Sequence, residues 1–122
     1  MRVISGKFKN KKLYFPKNLK TRPLKDNVRE NIFNILEHSN NIGIKIKNSC
    51  IIDLYAGTGS FGLECLSREA SQVFFVENDK DALKNLKKNI KNFKLEKKTS
   101  VYSQDIFGFF KDSNPEKKID LV

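Results

Sequence analysis

The segment CIIDLYAGTGSFGLECLSREA, residues 50–70, constrains the fold more than any other part of the chain. A short apolar run ends in Asp53, a glycine-rich turn follows, and a helix-like stretch begins at Ser60. Gly57-Thr58-Gly59-Ser60-Phe61-Gly62 spells G-x-G-x-x-G. Strand, tight turn and helix in that order bring a ligand against backbone N–H groups at the helix start. The pattern is usually read as a dinucleotide site. The residues around it decide whether it holds a pyrophosphate or another adenosine-bearing ligand.

The rest of the chain extends this unit. Residues 50–54, 73–77 and 99–103 read as strands, and residues 119–122 open a fourth. Helices are expected over 60–68, after Asp79 as N-cap, and over 106–111. In the second of these, Ala82, Leu83, Leu86 and Ile90 form one face and Lys84, Lys87, Lys88 and Lys91 the other. Alternating strands and helices predict an α/β fold, a Rossmann-like, doubly wound parallel sheet. Ligands of such sheets bind at the carboxyl ends of the strands.

Upstream, residues 3–15 carry short apolar pieces on either side of Lys9-Asn10-Lys11-Lys12, with a Gly at position 6. This predicts a β-hairpin. Phe8 and Tyr14 stand among its lysines and suit either base stacking or anchoring the hairpin to the body. Pro16 and Pro23 bracket a connecting stretch. A helix is expected from Asp26 as N-cap, with Val28, Ile32, Ile35 and Leu36 on its apolar face, ending near Asn40, Asn41 and Gly43. The expected organisation is a basic hairpin extension over 1–20, a connecting segment and helix over 21–45, and a ligand-binding sheet domain over 46–122.

Charge separates these parts. The net charge is +10, yet residues 1–50 hold 12 basic residues against three acids, and residues 51–122 hold 12 against 11. Residues 1–20 contain seven basic side chains and no acid. A basic arm on a nearly neutral body suits a polyphosphate such as RNA, with Arg2, Lys7, Lys9, Lys11 and Lys12 as contacts. A solvated, Lys-rich surface is the competing reading. No window approaches 18 apolar residues, and residues 1–12 lack the apolar stretch of a signal peptide. A cytoplasmic protein is expected. Cys50 and Cys65 lie in apolar settings without a CxxC pattern and read as buried thiols. His38, the one histidine, falls at a helix C-terminus, where a dipole contact explains it better than catalysis. No metal site is expected.

Three acids fall at strand ends: Asp53, Glu77 and Asp105. Capping of the following helix is a weak explanation for Asp53 and Glu77 and a reasonable one for Asp105. A pyrophosphate is repelled by a carboxylate four residues before the first glycine. A cation is attracted. S-adenosylmethionine has an α-ammonium group and a sulfonium, and no phosphate. Glycines at 57 and 59 allow close backbone approach, and Gly62 suits helix–sheet packing. Glu77, 20 residues past Gly57, can accept from ribose hydroxyls in either cofactor class. Asp105 can accept from an adenine amino group.

These residues resemble a known family. DLYAGTGSFGLECLSREA with VFFVENDKDALKNLKKNI looks like motifs I and II of the RsmD family, S-adenosylmethionine-dependent methyltransferases of guanine N2 in 16S ribosomal RNA. RVISGKFKNKKL resembles that family's hairpin, and TRPLKDNVRENIFNIL its T-R-P-T-x-D-x-V-R-E-x-x-F segment, with Leu24 where a Thr is usual. The resemblance spans nearly all of the chain. It implies a class I methyltransferase fold in which Asp53, Gly57 and Gly59 contact the methionyl side and Tyr55 is a further cofactor contact. Glu77 would hold the ribose, Asn78, Asp105 and Ile106 would frame the adenine, and Thr21 and Arg22 would border the methionine end. The implied partner is 16S ribosomal RNA or a small-subunit assembly particle, with no membrane.

One departure matters. The family's [N/D]-P-P-[F/Y] motif, which handles the target amine after strand four, is absent from these 122 residues. No catalytic residue is therefore assigned in this chain, and the motif is expected just after Val122. The sheet is expected to be truncated at the start of strand four, with self-association through its incomplete edge. Alternative readings are a fragment of a DNA adenine-N6 methyltransferase, a non-catalytic nucleic-acid binder and a nicotinamide-binding oxidoreductase.

Overall fold

The computed structural model describes residues 1–15, 26–38, 45–105 and 107–108. The elements are α1 (Asp26–His38), β1 (Cys50–Leu54), α2 (Ser60–Ser67), β2 (Gln72–Val76), α3 (Lys80–Asn92) and β3 (Thr99–Tyr102), with a 3-10 turn at Glu96–Lys98 before β3. The three strands form a parallel sheet in the order β1-β2-β3. Asp53 pairs with Phe75, and Phe75 with Val101. The predicted Rossmann-like α/β arrangement is thus present in its first three strands. Among the described residues, β1 has a partner strand on one side only.

Strand alternation sorts the side chains. Ile51, Val73 and Phe75 point into a core shared with Leu63 and Leu66 of α2 and Leu86 and Ile90 of α3. Ile52 and Val76 lie on the opposite face with Leu54, Phe74 and Tyr102. Asp53 shares the face of Ile51, and so lies beneath the start of α2. Gly62 allows that packing: a Cβ there would stand 2.7 Å from Phe75 Cζ and 2.9 Å from Val73 Cγ1. Asp79 caps α3 as expected, its Oδ2 accepting from the Ala82 N–H at 2.9 Å. Val3, Leu13 and Phe33 join this same core, so the arm and α1 pack directly on the sheet unit. Cys50 and Cys65 are free and buried, and burial pushes the Cys65 thiol well up.

Two expectations change. The arm is not a regular hairpin; it has a single antiparallel bridge between Arg2 and Lys12. The backbone N–H groups of Ile4 and Ser5 donate instead to the Glu64 carboxylate, at 2.8 and 3.0 Å. Those of Lys7 and Phe8 donate to the carbonyl and hydroxyl of Ser67, at 2.8 and 2.9 Å. Three backbone bonds cross the arm, from the N–H groups of Val3, Asn10 and Leu13 to the carbonyls of Lys11, Val3 and Met1 at 2.9, 2.8 and 3.0 Å, while Ile4, Ser5, Lys7 and Phe8 turn their N–H groups to α2, so the pairing stops at one bridge.

The buried face of α1 also differs. Arg29 and Phe33 are buried, while Val28 and Ile35 are exposed. Phe33 stacks on Phe61 at 4.9 Å, with the Arg68 guanidinium 4.5 Å from its ring centre. Arg29 donates to the Arg2 carbonyl and to Asp26 Oδ1, and lies 3.9 Å from the fully buried Glu64. Glu64 is held by Arg68 at 3.0 Å, and Arg68 by Glu37 at 2.8 Å. A buried acid with backbone and arginine donors sets the rotation of α1, overriding the apolar stripe. Asp26 stands in the first turn of α1, its carboxylate paired with Arg29 and, at 3.8 Å, with Arg2. The expected stretch between Pro16 and Pro23, the helix end at Asn40, Asn41 and Gly43, most of the helix over 106–111 and the fourth strand lie outside the described residues.

Candidate functional site

The β1–α2 loop turns through three left-handed residues, Tyr55, Gly57 and Gly59. Tyr55 has φ 54° and Gly57 φ 59°. A Cβ at Gly57 would meet no atom within 4 Å, so the glycine faces open space. Gly59 serves the protein side: its φ is 89°, and a Cβ would strike Leu86 and come within 3.3 Å of Leu63.

The three strand-end acids gather along this edge. Each is tied to backbone N–H groups. Asp53 Oδ2 accepts from Gly62 at 3.0 Å. Glu77 Oε1 accepts from Gly57 at 2.7 Å, and its Oε2 from Asn78 and Asp79 at 2.9 and 3.0 Å. Asp105 Oδ1 accepts from Gly108 at 2.6 Å. Helix-start and turn capping therefore applies to Asp53 and Glu77 as well as to Asp105. The reason is local: the left-handed turn brings the α2 N-terminus back over β1, within reach of Asp53. The same bonds lock the carboxylates in position. Burial, partly opposed by the Gly62 N–H and reinforced by the charge of Glu77, raises the Asp53 carboxyl to about 7.

A cleft of about 310 Å³ opens at the ends of β2 and β3. Glu77, Asn78 and Asp105 line it together with Val76 and the aromatic side chains of Tyr55 and Phe107. Both rings are largely exposed, at 80% and 87%. Gln104 also lines the cleft, and its Oε1 is buried without a hydrogen-bond partner. Among the described residues lining it there are two acids and no base.

Of the predicted cofactor contacts, Asp53, Tyr55, Gly57, Gly59, Glu77, Asn78 and Asp105 share this edge. Arg22, Thr21 and Ile106 lie outside the described residues. Sequence reasoning missed Gln104 and Phe107, which follow β3 without a motif to mark them. It also missed Asn89, which is fully buried. Its amide accepts from the Tyr14 N–H at 2.7 Å and donates to the carbonyls of Tyr14 and Thr58 at 3.1 and 3.0 Å. It fastens the arm to the glycine loop. An amide between Leu86 and Ile90, on the apolar side of α3, was the readable sign of it.

The predicted RNA contacts lie on the arm. Arg2 is within 3.4 Å of Asn10 Oδ1 and 3.8 Å of Asp26. Lys7, Lys9, Lys11 and Lys12 are exposed. Phe8 is an anchor, stacked on Phe93 at 5.2 Å, while Tyr14 is partly exposed beneath the Lys88 ammonium, 3.9 Å from its ring centre. No helix among the described residues is long and apolar enough to cross a membrane. Among them no group of three or more His, Cys, Asp or Glu side chains could hold a metal ion.

The family described as Conserved hypothetical protein 95 matches residues 1–122. The chain belongs to this family, the RsmD family. YlbH of Bacillus subtilis is 39% identical over 86% of this chain and 54% of its own length. Ribosomal RNA small subunit methyltransferase D of Haemophilus influenzae is 34% identical over 100% of this chain and 61% of its own length. The chain thus spans little more than half the length of these relatives. A solved structure of yhhF from Escherichia coli is similar with a TM-score of 0.74 and 31% identity, covering 89% of this chain and 55% of that one. The shared architecture is a Rossmann-like methyltransferase fold.

Proposed function

We propose that this chain supplies the S-adenosylmethionine-binding part of an RNA methyltransferase acting on guanine N2 in 16S ribosomal RNA. The observation that carries the cofactor reading is the acidity of the ligand edge. Asp53 lies under the glycine loop, Glu77 and Asp105 line the adjoining cleft, and no basic residue joins them among the described lining. Such an edge repels a diphosphate and accepts a cationic, phosphate-free ligand.

The residues present fit that ligand. Gly57 leaves space for close approach. Asp53 meets the methionyl ammonium, and an arriving cation holds its carboxylate ionised despite burial. Glu77, fixed by three N–H groups, presents its remaining lone pairs to ribose hydroxyls. Asn78, Asp105 and Ile106 frame the adenine, the orphaned Gln104 oxygen takes a donor there, and Tyr55 and Phe107 flank it. Arg22, with Thr21, borders the methionine end. When bound, S-adenosylmethionine supplies a methyl group activated by a sulfonium. The chain's own part is to position that ligand and to exclude water.

The RNA reading rests on the basic arm and on the family. The residues that would receive the target amine belong to the [N/D]-P-P-[F/Y] motif, which these 122 residues do not contain. Calorimetry with S-adenosylmethionine and with NAD tests the cofactor class. Binding of the first and not the second is expected, and tighter binding of NAD overturns the reading.

A further inference from the structure

We propose that the groove between the N-terminal arm and the α3–β3 connection binds the sugar–phosphate backbone of the RNA, as an anchor separate from the methyl-donor edge. The proposal rests on the RNA reading above and adds the place and manner of contact. The groove has a volume of about 610 Å³. Lys7 and Lys11 line it from the arm, and Lys94, Lys97 and Lys98 from the connection; Glu96 is the one acid among the described lining. None of the five lysines forms a salt bridge among the described residues.

The floor of the groove positions the charges. Phe8 and Phe93 stack nearly parallel, at 17°. The Lys11 ammonium lies 5.2 Å from the Phe8 ring centre and 5.3 Å from that of Phe93, and the Lys7 ammonium 5.7 Å from Phe8. These cation–π contacts hold the ammonium groups over the floor. The ring faces are already taken by each other and by lysines, so the groove offers charge rather than a stacking platform. Its ligand is the phosphate backbone, which fixes register without reading bases.

Backbone geometry favours the same conclusion. Lys94 follows the end of α3 with φ 57°, and the Leu95 N–H closes the turn on the Ile90 carbonyl at 3.0 Å. Glycine is the usual residue there. A lysine stands instead, adding a charge at the rim of the groove.

The position matters most. Lys98 directly precedes β3, whereas Asp105 follows it. The groove and the acidic edge are therefore at opposite ends of the strands, separated by the four residues of β3, or about 13 Å at about 3.3 Å per residue. Opposite charge at the two ends orients a polyanion: phosphates settle in the groove and are kept off the cofactor cleft.

The test is salt-dependent binding of the chain to a single-stranded 16S-derived RNA. The variants are Lys94→Gly and the triple Lys94→Gly, Lys97→Ala, Lys98→Ala. If each lysine neutralises one phosphate, the triple variant lowers the slope of log K against log salt by about 2. Lys94→Gly lowers it by about 0.7 without lowering the melting temperature, since glycine suits the left-handed turn. Calorimetric affinity for S-adenosylmethionine stays unchanged in both. An unaltered slope in the triple variant overturns the proposal even if the cofactor binds. Loss of slope in a chain that never binds S-adenosylmethionine upholds the groove and refutes the cofactor reading instead.

Discussion

Asp53→Asn should make the protein more stable at pH 8 and weaken its proposed binding of S-adenosylmethionine. The carboxyl is 8% exposed, and burial raises it from 3.8 to about 7. Between those values the folded protein holds a proton that the unfolded chain has released. Stability contributed by this group is therefore present at pH 4 and is lost as pH rises to 7. The displacement corresponds to about 4 kcal/mol at most. An amide of the same shape keeps an acceptor for the Gly62 N–H and never ionises. Its own NH2 needs a partner, at a cost of about 1–2 kcal/mol. The net expectation is a gain of about 2–3 kcal/mol at pH 8, on the order of 10 °C in Tm, and a loss of about 1–2 kcal/mol at pH 4. Thermal melts of both proteins from pH 4 to 8 measure the gap. A gap that fails to widen with pH refutes the reasoning. Calorimetry on the same samples should show S-adenosylmethionine affinity falling at least tenfold in the variant. For the natural protein, affinity should fall about tenfold per pH unit below 7.

Glu77→Ala removes the acceptor for three backbone N–H groups and for the proposed ribose contact, so S-adenosylmethionine affinity should fall beyond detection in calorimetry; retained affinity would take Glu77 out of the site. Gly62→Ala overpacks Phe75 and Val73 and should destabilise by about 1–3 kcal/mol in denaturant melts, with a neutral result contradicting the tight helix–sheet contact. Asn89→Leu leaves the buried Thr58 carbonyl and the part-buried backbone groups of Tyr14 without this partner, costing about 1–3 kcal/mol. In hydrogen exchange the Tyr14 amide should lose its protection, and persistent protection would show that another group holds the arm.

The order of strands and helices was legible because it rests on local chemistry. The apolar strand runs, the Asp79 cap and the glycine turn each act within a few residues, and each behaves as its sequence implies. The clustering of Asp53, Glu77 and Asp105 was also legible, since parallel strands bring their carboxyl ends to one edge. The path of the arm and the facing of α1 were not. Both depend on Glu64, which reads in sequence as one more helix acid. Tertiary burial makes it the acceptor for Ile4, Ser5 and Arg68.

Sequence alone determined the acidic, glycine-looped edge, because residue type and spacing suffice where backbone geometry is regular. Only the tertiary structure decided which distant lysines meet in one groove and which polar side chain fastens the arm to the loop. Lys11 and Lys94 are 83 residues apart, as Tyr14 and Asn89 are 75. No local pattern encodes such meetings; the packing of the arm across α2 and α3 brings them about.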